Sequence, residues 1–210
     1  QQWFMDYRNA DGSVSEMCGN GIRVFALHLV QEGLADAGGP IPIETRDGVK
    51  TVTFAGDQIT VDMGTPYLLG ESKVSIGDAT WAAANVDMGN PHAVAFLDDG
   101  ADLADVGPLL EQPGYDSAVY PAGVNVEFVA RRGERHVAMR VHERGSGETQ
   151  SCGTGACAVA VAAATQDGAP RDVDYRVDLP GGTLTIRWTS DDRVLMTGPA
   201  EIVARGTTTL

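Results

Sequence analysis

The chain has few cysteines and few basic residues. Among its 210 residues are 3 cysteines, and 15 lysines and arginines stand against 29 aspartates and glutamates. An odd, low cysteine count is unlike the disulfide framework of a small secreted protein, and no CxxC pair indicates a structural zinc site. No apolar run approaches the roughly 20 residues of a membrane span. We therefore expect a cytoplasmic protein without a metal site.

The formal net charge of -14 restricts the choice of partner. A nucleic acid or an anionic membrane surface would have to be approached against electrostatic repulsion, so both are excluded as expected partners. The substrate should be small or zwitterionic. A hydrophobic content of 43% is ordinary for a globular protein, and the length allows one large domain or two modest ones.

Two segments of the chain are nearly alike, and this duplication favours two domains. Met17-Cys18-Gly19-Asn20-Gly21 and Ser151-Cys152-Gly153-Thr154-Gly155 each precede a run rich in alanine and valine that is typical of a helix. Cys18 and Cys152 are thus predicted at helix starts, where free N–H groups and a partial positive charge favour a thiolate and the docking of a carboxylate. If the halves face each other, one thiolate and one thiol flank a single substrate.

The remaining pattern predicts short strands around these helices. The first helix is expected over Ile22–Val30, closed by Gly33, and the second after Gly155; Cys157 lies within the second and is interpreted as a packing residue. Strands are predicted from their Thr, Val and Ile content and their flanking Gly, Asp and Pro. They cover residues 2–7, 42–46, 49–54 and 58–62 in the first half, the last three as an antiparallel meander, and 85–87, 92–97, 123–130, 136–143, 177–188 (broken at 180–182) and 193–196 in the second.

The duplication also bears on what precedes Gln1. Val61–Pro66 follows the first cysteine motif as Val194–Pro199 follows the second, but Gly89-Asn90-Pro91-His92, well upstream of Cys152, has no counterpart before Cys18. Repeat symmetry predicts that roughly 45 or more residues are missing at the N-terminus.

Several polar residues are candidates to hold a ligand beside the thiols: Asn9, Asn90, Asn125, Glu143 and Arg144. Arginine suits a planar carboxylate because its guanidinium donates two parallel hydrogen bonds, and a glutamate suits an ammonium group. A Glu-Arg pair at a strand end is also commonly just solvated. Likewise, the Gly-Asn-Pro-His turn could hold a turn asparagine and a hydrogen-bonded core His92 rather than functional groups.

Taken together, the motifs resemble the diaminopimelate epimerase family, pyridoxal-independent enzymes of lysine and cell-wall precursor synthesis. The matching stretches span nearly the whole chain and occur in the family's order: Arg8–Ser13, Met17–Arg23, Gly89–His92, Gly123–Glu127, Glu143–Gly145 and Ser151–Gly155. The resemblance implies an α+β fold of two pseudo-symmetric domains, each a mostly antiparallel β-sheet or barrel wrapped around a central helix. It places the first domain at residues 1–66 plus about 199–210, the second at 67–198, and the active site in the cleft between them.

The resemblance also implies roles for residues of this chain. Cys18 and Cys152 would be the acid-base thiols, assisted by His92 and Glu143, which would make these four the catalytic residues. Substrate contacts would come from residues at the matching motif positions. These are Asn9, Gly19, Asn20, Asn90, Asn125, Glu143, Arg144, Gly153 and Thr154. The family implies a homodimer that interconverts LL- and meso-diaminopimelate without a cofactor.

Three alternatives remain open from the sequence. A proline or hydroxyproline racemase resembles this chain in its paired cysteines but usually carries His where Asn20 stands, and its substrate has no distal carboxylate for Arg144. A redox protein could join Cys18 and Cys152 in a disulfide. A phosphate-binding module rests only on the glycine-rich helix starts and lacks the lysine of a P-loop.

Overall fold

The computed structural model describes residues 2–8, 12, 14 and 16–206, and these fall into two compact units. The first unit comprises Gln1–Asp62 with Thr197–Leu210, and the second comprises Met63–Met196. In the first unit, the elements in chain order are β1 (Trp3–Phe4), α1 (Gly19–Gln31), β2 (Ile41–Thr45), β3 (Gly48–Ala55) and β4 (Gln58–Asp62). β2, β3 and β4 pair antiparallel in sequence order, which confirms the predicted meander.

The second unit contains a longer sheet. Its elements are β5 (Tyr67–Ile76), β6 (Ala79–Asp87), β7 (Pro91–Phe96), a 3₁₀ helix (Leu103–Val106), β8 (Gly114–Tyr115), β9 (Asn125–Gly133), β10 (His136–Glu143), β11 (Gly147–Thr149), α2 (Gly153–Gln166), β12 (Asp174–Leu179) and β13 (Gly182–Trp188). β14 (Val194–Gly198) carries the chain from the second unit back into the first. The strand order is β13-β12-β10-β9-β7-β6-β5-β8, and only β12 with β10 and β9 with β7 run parallel.

Each unit builds its helix into the same kind of connection. α1 joins β1 to its parallel neighbour β2, and α2 joins β10 to its parallel neighbour β12. Parallel neighbours need a crossover of this kind, whose helix starts beyond the carboxyl end of the first strand. In both units an antiparallel hairpin follows, β2 with β3 and β12 with β13. The duplicated cysteine motif therefore marks a duplicated β-α-β plan, with one cysteine ahead of each helix.

The two helices differ in how much of their surface is covered. α2 packs against strands on several sides, and its alanines and valines from Ala156 to Ala164 are all buried. Such a helix has no polar face, which explains its continuous small apolar sequence. α1 buries a single stripe that includes Ile22, Ala26 and Leu29. The expectation of a central helix wrapped by sheet is thus realised most fully in the second unit.

Sequence and structure agree on the α+β class and on most elements. Both helices start three residues earlier than the patterns alone suggest, at Gly19 and Gly153. α1 ends as predicted, because Gly33 takes a left-handed φ of 69° and its N–H bonds the Val30 carbonyl. The predicted strand over residues 2–7 shortens to Trp3–Phe4. Among the described residues, neither helix is long and apolar enough to cross a membrane.

Candidate active site

Cys18 and Cys152 occupy the same local structure in their respective units. Each is the N-cap of its helix with extended backbone, φ -136° and ψ 112° for Cys18, φ -123° and ψ 112° for Cys152. The N–H of Gly21 donates to Cys18 Sγ, and the N–H of Gly155 donates to Cys152 Sγ, both at 3.3 Å. The sulfur thus takes the place of the usual capping oxygen. This confirms the predicted helix-start positions, and both cysteines are free thiols, as is the buried Cys157.

Glycine at the third helical position lets each sulfur reach the backbone. A Cβ at Gly21 would lie 3.3 Å from Cys18 Sγ, and its next neighbour would be the thioether of Met5 at 3.9 Å. A Cβ at Gly155 would lie 3.2 Å from Cys152 Sγ and 2.7 Å from the Oε1 atom of Glu127. The two caps are alike in backbone but differ in what lies behind them: a neutral side chain in one unit and a buried carboxylate in the other.

The surroundings of Cys152 favour its protonated form. Burial raises the pKa of the Cys152 thiol well above its ordinary value, and the nearby carboxylates of Glu143 and Glu127 raise it further. The hydroxyl of Thr154, 3.5 Å from Sγ, and the N–H of Gly155 act in the opposite direction but are weaker. The expectation that the helix start favours a thiolate is therefore wrong for Cys152, because desolvation and two negative charges outweigh the backbone donor.

A chain of three side chains leads away from Glu127. Its Oε1 atom lies 2.6 Å from His92 Nδ1, and His92 Nε2 lies 3.0 Å from Asn90 Oδ1. Glu127 and His92 are completely buried, whereas Asn90 is half-buried. His92 is thus a hydrogen-bonded core histidine, the plainer of the two interpretations of the Gly-Asn-Pro-His turn, and its ring does not face a solvent-filled site.

Asn125 joins two of the motif loops. Its Nδ2 donates to the carbonyl of Pro91 at 3.1 Å, and its Oδ1 accepts the N–H of Arg144 at 2.9 Å. The structure therefore brings together Asn90, Asn125 and Arg144, as the sequence analysis expected. Because two backbone groups use the Asn125 amide, one Nδ2 hydrogen is left for a substrate, and much of its role is to hold the loops.

The charged residues of the Glu143-Arg144 loop point to different neighbours. Glu143 accepts a hydrogen bond from the hydroxyl of Thr149 and contributes to the raised pKa of Cys152. The exposed Arg144 guanidinium donates to the carbonyl of Ala122 at 3.0 Å. Gly123 lies against this side chain, since a Cβ there would approach Arg144 Cδ to 2.9 Å. The arginine is held along the loop that precedes β9.

In the first unit, the predicted contacts surround the start of α1. Asn20 Oδ1 accepts a hydrogen bond from Arg23 Nη2 at 3.0 Å, and Arg23 Nη1 donates to the carbonyl of Gly19. Arg23 Nε also donates to the carbonyl of Pro199, which ties the returning chain to the helix start. Asn9, another predicted substrate contact, lies outside the described residues.

Neither Glu127 nor Arg23 was predicted from the sequence as a functional residue, although both stand inside matching motifs. The sequence does contain a signal for Glu127, because it is the one charged residue in the run Val124–Ala130. The structure buries every residue of this run. A charge in such a run must be paired or have a special task.

Comparison with known proteins agrees with the motifs. The chain matches the diaminopimelate epimerase family over residues 1–69 and 84–203. It belongs to the diaminopimelate epimerase family. The diaminopimelate epimerase of Streptomyces coelicolor is 58% identical over 98% of this chain and 72% of that protein. The corresponding protein of Corynebacterium aurimucosum is 46% identical over 99% of this chain and 76% of its own length.

Solved structures with the same fold are more distant. A phenazine biosynthesis protein of the PhzF family from Enterococcus faecalis superposes with a TM-score of 0.68 at 15% identity, covering all of this chain and 79% of that one. A hydroxyproline epimerase from Agrobacterium vitis gives 0.65 at 14% identity, covering 91% of this chain and 66% of its own. At such identities the likeness concerns the fold alone, and it confirms the predicted architecture.

Proposed function

We propose that the protein is a diaminopimelate epimerase that inverts one α-carbon of LL-diaminopimelate to give the meso form. Family membership supports the reaction, and the observation that carries the mechanism is the matched pair of cysteine N-caps. Cys18 and Cys152 share the same backbone conformation and the same N–H···S contact. Inversion needs a proton removed from one face of a carbon and another delivered to the opposite face, and two thiols supply both groups.

The raised pKa of Cys152 suits this thiol to the role of proton donor. We assign the role of proton acceptor to Cys18. The Cys18 sulfur takes the α-proton, the electron pair of the broken C–H bond moves into the adjacent carboxylate, and Cys152 then delivers its proton to the carbon. The cycle leaves Cys18 protonated and Cys152 ionised, which is the arrangement needed for the reverse reaction.

The negative charge that develops on the substrate carboxylate has to be stabilised without an imine cofactor. The first turns of α1 and α2 offer backbone N–H groups, and Gly19, Asn20, Gly153 and Thr154 stand there. Preorganised donors of this kind act where charge appears in the transition state, and loss of a single one costs on the order of 10² to 10³ in rate. We therefore assign these four positions to the reacting carboxylate.

The distal end of the substrate is a second amino-acid group, and it needs polar contacts of its own. Arg144 suits its carboxylate and Glu143 its ammonium group, with Asn9, Asn90 and Asn125 as further contacts. The mechanism requires reduced cysteines, which favours the cytoplasm as the compartment. The enzyme is further proposed to use no cofactor or metal and to act as a homodimer.

The alternatives are less well supported. The proline racemase and hydroxyproline epimerase structures resemble this chain at 12% and 14% identity only, and Asn20 stands where such enzymes usually carry His. A phosphate-binding module would give no role to the two cysteines that cap the helices, Cys18 and Cys152.

Turnover of LL-diaminopimelate against L-proline by the purified full-length protein tests the proposal. Release of the meso isomer, followed by chiral chromatography, with no racemisation of proline is the expected result. Racemisation of proline alone would replace the proposal with its nearest rival. Inertness toward both, with all thiols reduced, would refute an epimerase of either kind.

A further inference from the structure

The buried Glu127 carboxylate enters the mechanism above only as one of the charges that raise the pKa of Cys152. Its side chain is completely shielded from solvent, and its Oε2 atom has no hydrogen-bond partner among the described residues. Burying a carboxylate away from water is costly unless a positive charge or several donors compensate it. The single polar contact that the structure gives the carboxylate is the imidazole of His92 at 2.6 Å.

His92 meets an oxygen at each ring nitrogen. Nδ1 faces the Glu127 carboxylate, which only accepts, and Nε2 faces Asn90 Oδ1 at 3.0 Å. With Glu127 ionised, a neutral imidazole has one N–H and satisfies one of these contacts, whereas an imidazolium donates to both. The charged ring also neutralises the buried carboxylate. The other titratable groups that interact with Glu127 are the Cys152 thiol on α2 and the Tyr120 hydroxyl, and burial raises the pKa of both.

The protonation state of His92 also determines the orientation of the Asn90 amide. With Oδ1 held by His92, the amide turns its Nδ2 group away from the ring, and Nδ2 makes no hydrogen bond to any described part of the chain. A primary amide nitrogen offers two donors and no acceptor, so it suits a carboxylate. A neutral His92 with a bare Nε2 would instead attract Nδ2 and turn the oxygen outward, which repels a carboxylate.

We propose that Glu127 is a positioning residue that keeps His92 as an imidazolium and thereby fixes the Asn90 amide with its N–H groups toward a carboxylate of the substrate. The proposal rests on the proposed function for the identity of the substrate, but not for the state of His92. It makes His92 a fixed link in this chain of hydrogen bonds rather than a proton acceptor for a thiol. Glu127 acts on substrate affinity through two intervening side chains.

The state of His92 is measured directly by NMR of the protein with ¹⁵N-labelled histidine. The chain has 4 histidines, and a His92→Gln variant assigns the signal. At pH 7.5 the wild type is expected to show both His92 ring nitrogens protonated, and Glu127→Gln is expected to show a neutral ring. Glu148→Gln is the matched control, since Glu148 pairs with Arg140 and should leave the His92 signal unchanged. A neutral His92 in the wild type overturns the proposal.

Kinetics test the link to Asn90. Because the contact with Asn90 serves ground state and transition state alike, Glu127→Gln should raise KM for diaminopimelate about tenfold or more. It should change kcat by a smaller factor, since its effect on kcat comes only through the pKa of Cys152. In an Asn90→Ala background the same change should have little further effect on KM, since the two residues act in series. The proposal is contradicted if the two substitutions raise KM independently and additively, or if Glu127→Gln lowers kcat at unchanged KM.

Two further results keep the proposal separate from protein stability and from the proposed function. Glu127→Asp retains the charge and should recover a protonated His92, whereas a purely structural role predicts no difference between Asp and Gln. If the wild type does not turn over diaminopimelate, the proposed function fails, and the NMR result still decides whether Glu127 charges His92.

Discussion

His92 and Glu127 are both completely buried and meet at 2.6 Å, directly beneath the first turn of the helix that Cys152 caps. The first unit has a neutral methionine at the corresponding side of its own cap. The two cysteines therefore share one backbone geometry within different electrostatic surroundings. The difference favours the protonated form of Cys152 and predicts how the two caps respond to change.

Gly155→Ala should disturb the Cys152 cap more than Gly21→Ala disturbs the Cys18 cap. The new methyl at 155 would lie 2.7 Å from Glu127 Oε1, so the buried carboxylate, which contacts His92, or the helix would have to shift. Overpacking of this kind costs about 1–3 kcal/mol of unfolding free energy. At 21 the nearest atoms lie at 3.3 Å and alanine favours the helix, so the change should stay within about 1 kcal/mol. Urea unfolding of both variants measures the difference; equal losses would contradict the asymmetry.

The Cys152 thiol should resist alkylation at neutral pH and react faster as the pH rises. Its pKa is raised by burial and by Glu143 and Glu127, and only the thiolate attacks iodoacetamide. Glu143→Gln removes one of these charges, so the rise in rate should move to lower pH. The rate is followed peptide by peptide with mass spectrometry, and Glu148→Gln serves as the control. A Cys152 rate that is flat between pH 7 and 10 would show that its ionisation is not suppressed.

Asp178→Asn should destabilise the β-α-β framework of the second unit in a pH-dependent way. Burial tends to raise the pKa of Asp178, but hydrogen bonds from Thr183, His136 and Arg176 lower it to about 2. Since the folded pKa is depressed, this stabilisation is present above the unfolded pKa near 4 and is lost as the pH falls toward 2. The carboxylate is partly exposed, so solvent screening limits the effect to on the order of 1 kcal/mol at pH 7.

Unfolding of the Asp178→Asn variant between pH 7 and 3 checks this. The difference in unfolding free energy between the variant and the wild type should become smaller as the pH falls below 4. Asp174→Asn is the matched control, because Asp174 pairs with Arg187 at the exposed end of the same strand and should show a smaller gap. If the difference in unfolding free energy between Asp178→Asn and the wild type does not change with pH, the charge of Asp178 does not stabilise this region.

Local signals in the sequence were sufficient for the helix starts. A cysteine followed by small residues and an apolar run specifies an N-cap through contacts within four residues, and Cys18 and Cys152 adopt that structure. The meander from β2 to β4 was equally local, since turns at Asp47-Gly48 and Gly56-Asp57 separate short β-branched strands. Elements whose determinants lie in adjacent residues are thus predictable.

Determinants that are distant in sequence were not predictable. β5 was missed because apolar residues at Tyr67–Leu69 are exposed, and its register with β6 shifts between Leu68 and Glu71, so no alternation survives. The Glu127–His92 contact joins residues 35 apart on β9 and β7 and depends on their parallel pairing. The raised pKa of Cys152 was missed for the same reason: the capping motif is local, while the burial and the two carboxylates that raise the pKa come from residues distant in sequence.

The fate of the α-proton tests most directly whether two thiols act on one carbon. When LL-diaminopimelate is converted in D₂O and sampled early, two-base inversion predicts that meso product carries deuterium at the inverted carbon while the remaining substrate stays unlabelled. Cys18→Ala and Cys152→Ala should each lower turnover by about 10³ or more, a loss typical of a missing acid or base. Meso product that retains the substrate's own proton, or inversion at the wild-type rate in either variant, would contradict the account.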